Sequence, residues 1–191
     1  PYTTLFRSGN QPQTEIAMLE RGFTIVYFDV AELYGNKECI AIWNKFYNYV
    51  HNDLGLNRKT VLEGFSRGGA YIYDWAAVNP DKVTCVYADA PVLDFKSWPG
   101  GKGKSEGSKY DWELFKKDYG FSEAQALAFK GNPLDKVKEI VAGHYPILHV
   151  VGDADTLVPV AENTELFEEA IKKAGGNIRV IHTQHGYHHP H

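Results

Sequence analysis

The chain has 191 residues, 43% of them hydrophobic and 14% aromatic, with 20 Lys and Arg set against 24 Asp and Glu. That length suits one domain with a core of its own, spanning residues 1–191, and the apolar content excludes wholesale disorder. A net charge of -4 without a basic tract, and apolar runs of only a few residues, exclude a backbone-reading nucleic-acid binder and a membrane-spanning helix.

In chain order, the opening Pro1-Tyr2-Thr3-Thr4-Leu5-Phe6-Arg7-Ser8 resembles the translation of a sequencing-library adapter. Residues 1–8 are therefore expected to be non-native, and the chain to be a metagenomic fragment. A leader would be lost with the native start, so the compartment stays unknown, with a bacterial secreted or periplasmic protein as one option. Residues 23–30 are β-branched and aromatic, as in a buried parallel strand. Cys39, Ile42, Trp43, Phe46 and Val50 fall on one helical stripe. Residues 60–66 read as the next strand, and a helix then runs from the glycines at 68 and 69 to about Val78, stopped by Asn79-Pro80. Residues 83–88 and 147–151 are two more strands; a helix over about 160–174 ends at Gly175-Gly176, and residues 178–181 make the last strand. Strands alternating with helices in this way predict an α/β fold, a mostly parallel sheet with helices on both faces. Cys39 and Cys85 supply neither a disulfide framework nor a four-thiolate zinc site.

Residues 93–145 break that rhythm with a polar loop, Gly100-Gly101-Lys102-Gly103-Lys104, and three short helical pieces near Trp112, Ala126 and Val137. Such a stretch is either a surface excursion or a cap over a ligand pocket. As a small helical cap, it would offer Trp98 and Trp112 as substrate-binding walls.

Three loops carry the chemistry. Gly64-Phe65-Ser66-Arg67-Gly68 fits G-x-S-x-G between a strand and a helix, where a strained turn exposes the serine at a helix N-terminus and the Arg67 N–H can face an oxyanion. The bland alternative is a structural glycine turn. After the 147–151 strand, Gly152-Asp153-Ala154-Asp155 offers two carboxylates; Asp155 is expected to orient a histidine, and Asp153 to brace the turn. After the last strand, Gln184-His185-Gly186-Tyr187-His188-His189-Pro190 offers a general base. His188, His189 and His191 also read as a metal cluster or a tag, but they lack a carboxylate or cysteine at ligand spacing, and no metal or other cofactor is expected.

On these motifs, with Val158-Pro159, the chain resembles the α/β-hydrolase superfamily over residues 9–191, in particular bacterial esterase-like members related to prolyl-oligopeptidase catalytic domains. The chain order Ser66, Asp155, His188 is that of α/β-hydrolases. The resemblance implies Ser66 as nucleophile, Asp155 as acid and His188 as base, with His189 as its competitor because relatives carry Gly-His-His-Pro where this chain has Tyr187-His188-His189-Pro190. It also implies that N-terminal strands and a C-terminal helix of the fold are missing. The vacant strand position is expected to be filled by Tyr2-Thr3-Thr4-Leu5-Phe6-Arg7, and the second oxyanion donor to come from around Ser8, Gly9 or Asn10.

The expected function is a serine hydrolase of carboxylic esters; the aromatic-rich cap suggests a ring-containing substrate, and the resemblance implies a small-molecule or carbohydrate ester, acetyl or feruloyl. Alternatives are a serine peptidase of prolyl-oligopeptidase type and a truncated, catalytically impaired scaffold. Missing elements also predict a homodimer through an exposed sheet edge.

Overall fold

The computed structural model describes residues 13–30 and 32–188. Its centre is a sheet of four strands in the order β1 (Thr60–Phe65), β2 (Val83–Asp89), β3 (Pro146–Gly152) and β4 (Asn177–Thr183), parallel at every pairing. Register aligns Leu62, Val86, Ile147 and Ile178 in one row, and Gly64, Ala88, His149 and Val180 in the next row on the same face. Because side chains alternate along a strand, this face is the core face. Helices α3 (Arg67–Val78) and α7 (Thr164–Lys173) pack on it, and α6 (Val137–Val141) touches both helices. Phe167 and Ile171 from α7, Ile72 and Ala76 from α3, and Ile140 from α6 are fully buried there. On the opposite face Val61, Cys85 and Leu148 are half-buried and Ile181 is exposed.

Helix α2 (Lys37–Asn52) begins at Asn36, whose side chain accepts from the Cys39 N–H at 3.0 Å. It lies on α3 through Trp43 against Tyr71 and Tyr47 against Trp75. Of the helical stripe read at residues 39–50, Cys39, Ile42 and Trp43 pack with Tyr71 of α3, and Phe46 and Val50 face a cavity beside β1. Ahead of it, α1 (Gln13–Glu20) leads into residues 23–30, where the sequence predicts a strand and the structure has none. A cavity of about 550 Å³, lined among others by Phe23, Ile25, Phe28, Trp43, Phe46 and Val61, separates this segment from β1. Strand-prone residues held away from β1 by such a gap form no ladder with it.

One further element differs from its expectation. The helix expected over about 160–174 is a 3₁₀ turn, Val160–Glu162, followed by α7, with the break at Asn163. The buried Asn163 side chain accepts from the Leu93 and Asp94 N–H groups and donates to Ser97 Oγ and to the Pro159 carbonyl. Those bonds need a non-helical backbone, φ -126° and ψ -87°, at that residue.

The 93–145 excursion is ordered, with α4 (Lys109–Tyr119), α5 (Glu123–Leu127), a 3₁₀ turn (Pro133–Lys136) and α6. Ser108 caps α4, Gly120 ends it at φ +67°, and Ser122 with Gln125 forms a reciprocal capping box on α5. Its aromatics close into a second core, with Phe95 and Phe115 centroids 4.7 Å apart, shared with Tyr34, Ala70 and Val92. Ala70 lies on α3, so the excursion is joined to the helix behind the G-x-S-x-G turn rather than hinged over it.

Candidate active site

Parallel strands bring their C-terminal ends to one edge of a sheet, which is where α/β folds assemble sites. Ser66 follows the last residue of β1, Asp155 lies three residues past β3, and His188 lies five past β4. Residues 122 positions apart in sequence thereby meet: His188 Nε2 is 2.8 Å from Ser66 Oγ. His188 Nδ1 is 2.7 Å from Asp155 Oδ2.

The serine is held in strain. Its φ of 50° and ψ of -119° are unusual for a residue with a side chain. Three backbone bonds fix the conformation: the Ser66 N–H donates to the Asp89 carbonyl at 2.8 Å, and its carbonyl accepts from Val92 and Gly69, both at 2.9 Å. The crossing is tight enough to demand glycine on both sides. A Cβ at Gly64 would lie 2.8 Å from the Gly68 carbonyl oxygen, and one at Gly69 would lie 2.4 Å from Pro91 Cβ. Ser66 is thereby projected at the head of α3, where the Arg67 N–H sits in the first turn and lacks an intrahelical acceptor.

The carboxylate is buried. Asp155 Oδ1 accepts from the Leu157 and Val158 N–H groups, both at 2.9 Å, which leaves Oδ2 aimed at His188. With Nδ1 donating to Asp155, Nε2 is the tautomer's acceptor for the serine proton. The competing Asp153 instead meets His182 Nδ1 at 2.7 Å, a pair in which both side chains are 41% exposed. Gly152 lets the histidine loop approach, because a Cβ there would lie 2.2 Å from the Tyr187 carbonyl oxygen. His189, Gly9, Asn10 and Ser8 lie outside the described residues, as do Tyr2 to Arg7.

Trp98 and Trp112 are 8% and 5% exposed and belong to the excursion's aromatic core. Trp112 Nε1 donates to Glu123 at 2.9 Å. The Arg67 side chain has a setting that sequence reading missed. Its guanidinium pairs with Glu32, lies 3.2 Å from Asp111 Oδ1 and stands over the Tyr34 ring. Glu32 and Asp111 lie 35 residues before and 44 after it, with no local motif to announce them. The 550 Å³ cavity shares no lining residue with this constellation. Among the described residues no three His, Cys, Asp or Glu side chains gather as a metal site, and no helix is long and apolar enough to cross a membrane.

The sequence signature of the prolyl oligopeptidase family matches residues 33–190, a span that takes in all three of these loops. The chain belongs to the prolyl oligopeptidase family. No curated protein matches it. Among solved structures, this prolyl oligopeptidase-family chain is similar to the Pyrococcus horikoshii acylaminoacyl peptidase, with a TM-score of 0.63 and 19% identity over 83% of this chain and 25% of that one. It is also similar to Porphyromonas gingivalis dipeptidyl peptidase 4, with a TM-score of 0.61 and 19% identity over 80% of this chain and 20% of that one. A Mycobacterium tuberculosis puromycin-hydrolyzing peptidase gives 0.60 and 16%, over 82% and 22%. At these identities the likeness is one of fold, that of the α/β-hydrolases, and the chain spans a quarter or less of the length of these proteins.

Proposed function

We propose that the chain is a serine hydrolase that cleaves peptide bonds through an acyl-enzyme. The observation that carries the reading is the continuous relay from Ser66 Oγ to His188 at 2.8 Å and from His188 to Asp155 at 2.7 Å. In this reading His188 Nε2 takes the Ser66 proton as Oγ adds to the substrate carbonyl. The tetrahedral oxyanion faces the Arg67 N–H, and Asp155 holds the imidazolium that forms. The C–N bond then breaks and the amine leaves with the proton from His188. Water adds to the acyl-enzyme with His188 again as base, releasing the acid and restoring Ser66.

Family membership and relatives whose names are those of peptidases support an amide substrate over the carboxylic ester first expected. The ester expectation came from the resemblance to esterase-like members, and its ring-containing substrate leaned on aromatic walls, whereas Trp98 and Trp112 are used in packing. Acetyl and feruloyl carbohydrate esters therefore have no observation in their favour.

The test is a fluorophosphonate probe read by intact mass, followed by aminoacyl p-nitroanilides beside p-nitrophenyl esters. One adduct per chain is expected, lost in Ser66→Ala, with anilide turnover lowered roughly 10⁴-fold or more in that variant. A folded wild type that takes no label overturns the reading. Turnover of esters alone returns it to a carboxylic ester hydrolase.

A further inference from the structure

Asp155 owes its orientation to the two peptide planes that follow it, and both planes are gripped from their far side by the excursion. The Leu157 N–H donates to Asp155 Oδ1, while the carbonyl of the same peptide unit, that of Thr156, accepts from the Glu106 N–H at 3.1 Å. The Val158 N–H donates to the same Oδ1, while the Leu157 carbonyl of that unit accepts from Ser105 Oγ at 2.6 Å. A peptide unit is planar, so fixing its carbonyl fixes the direction of its N–H. Donation to the carbonyl also polarises the unit and strengthens the bond that its N–H makes. Ser105 is buried, and its Oγ accepts from the Gly107 N–H at 3.1 Å, which fixes the hydroxyl as donor to Leu157.

The same short segment reaches the nucleophile. Ser108 bonds to Asp111 Oδ2, and Asp111 Oδ1 takes the Tyr34 hydroxyl at 2.9 Å and the guanidinium of Arg67, the residue after Ser66. The segment itself is anchored: the Ser108 N–H donates to the Pro99 carbonyl, and Gly107 at φ +65° lies so close to Gly101 that a Cβ would fall 2.7 Å from its Cα.

We propose that residues 105–111 are a positioning strut for the reaction, with Ser105 as its decisive side chain, setting the direction of the Asp155 carboxylate and its spacing from the Ser66 turn. This rests on the proposed use of Ser66, His188 and Asp155. Misplacement of a reacting group by about 1 Å costs on the order of a hundredfold in rate, so loss of one of the two grips should cost about tenfold.

Two measurements on the full chain test it. One is the far-downfield proton resonance of His188 Nδ1–H in its bond to Asp155, which needs no turnover. The other is the rate of fluorophosphonate inactivation, resolved into the maximal rate and the probe concentration at half-maximum. Ser105→Ala should shift or broaden the resonance and lower the maximal rate about tenfold with half-saturation unchanged, while Ser105→Thr, which keeps the hydroxyl, restores both. Asp111→Asn should lower the maximal rate in the same way from the other end. Circular dichroism verifies that each variant is folded. A folded Ser105→Ala with wild-type resonance and rate overturns the proposal, as does a wild type without the resonance. A wild type that shows the resonance and takes no label overturns the hydrolase reading instead, and the strut is then judged on the resonance.

Discussion

Single residues carry charge states that the fold, not the residue type, sets. His149 on β3 is sealed in the core between the Tyr73 hydroxyl at 2.6 Å and Thr164 Oγ1 at 3.1 Å, stacked on Phe167. Burial pushes its imidazole down to about 3, so the folded protein keeps it neutral. The unfolded chain takes up a proton below about 6.5. Its contribution to stability is therefore intact above that pH and is lost progressively as pH falls toward about 3. Asp74 works in the opposite sense: burial, offset by Lys136, raises its carboxyl from 3.8 to about 7, so its contribution weakens as pH rises through that window. Removing the titrating ring isolates the first effect. In His149→Gln, thermal midpoints should decline less between about pH 6.5 and pH 4 than in the wild type, whatever the absolute loss. Equal slopes would mean that His149 already titrates normally in the fold. Nothing in the sequence around His149 distinguishes it from an exposed histidine, because its neighbours come from α3 and α7.

At the scale of elements, the excursion and α3 behave as one body. They share the aromatic core of Phe95, Trp98, Trp112 and Phe115 with Ala70, and they are tied by Lys136 Nζ to Asp74 Oδ1 at 2.6 Å. The Asp74 side chain is almost wholly buried, whereas Lys136 keeps part of its surface in water. Breaking the pair from the lysine side strands a buried carboxylate. Lys136→Met is expected to cost about 1–3 kcal/mol at pH 8, below the figure for a fully buried pair because water still reaches Lys136. The loss should shrink at pH 5, where Asp74 accepts a proton at little cost. Denaturant melts at the two pH values measure it, and a loss independent of pH would show that lysine packing rather than charge is at stake. The elements themselves were mostly legible: β1, β2, β3 and β4, the α2 stripe and the three pieces of the excursion follow from periodicity and from Gly and Pro stops. The two failures share a cause. Residues 23–30 have the composition of a strand but lie across a cavity from β1, and Asn163 leaves its helix for three hydrogen bonds to residues 93–97, which sequence windows do not see, with a fourth to Pro159.

Across the described residues, the proposed site and the open cavity share no residue. The Ser66–His188–Asp155 constellation sits at the C-terminal ends of the strands, while the 550 Å³ cavity lies between residues 23–28, α2 and β1. Exposed Ile16, Leu19, Phe23, Tyr27 and Phe28 add apolar surface on that side. Exposed apolar surface beside an open cavity takes up hydrophobic dyes. The folded chain should therefore enhance the fluorescence of anilinonaphthalene sulfonate, and Phe23→Ser with Phe28→Ser should reduce the enhancement while Ser66 labelling persists. An unenhanced dye would mean that the cleft is closed in solution.

The amino-acid sequence by itself determined the parallel α/β arrangement, the turn that strains Ser66 and the candidates Asp155 and His188. The arrangement, the turn and Asp155 rest on local rules, namely side-chain periodicity, the need for glycine where backbones cross, and the placement of loops after strands; His188 among its neighbouring histidines rests on the resemblance to α/β-hydrolases. Only the tertiary structure decided that Asp153 turns to His182, that Trp98 and Trp112 fill a core, and that Ser105 and Asp111 brace the two ends of the site. Those outcomes depend on which groups arrive within about 3 Å of one another. Residues separated by tens of positions acquire that proximity from packing, and no local pattern encodes it.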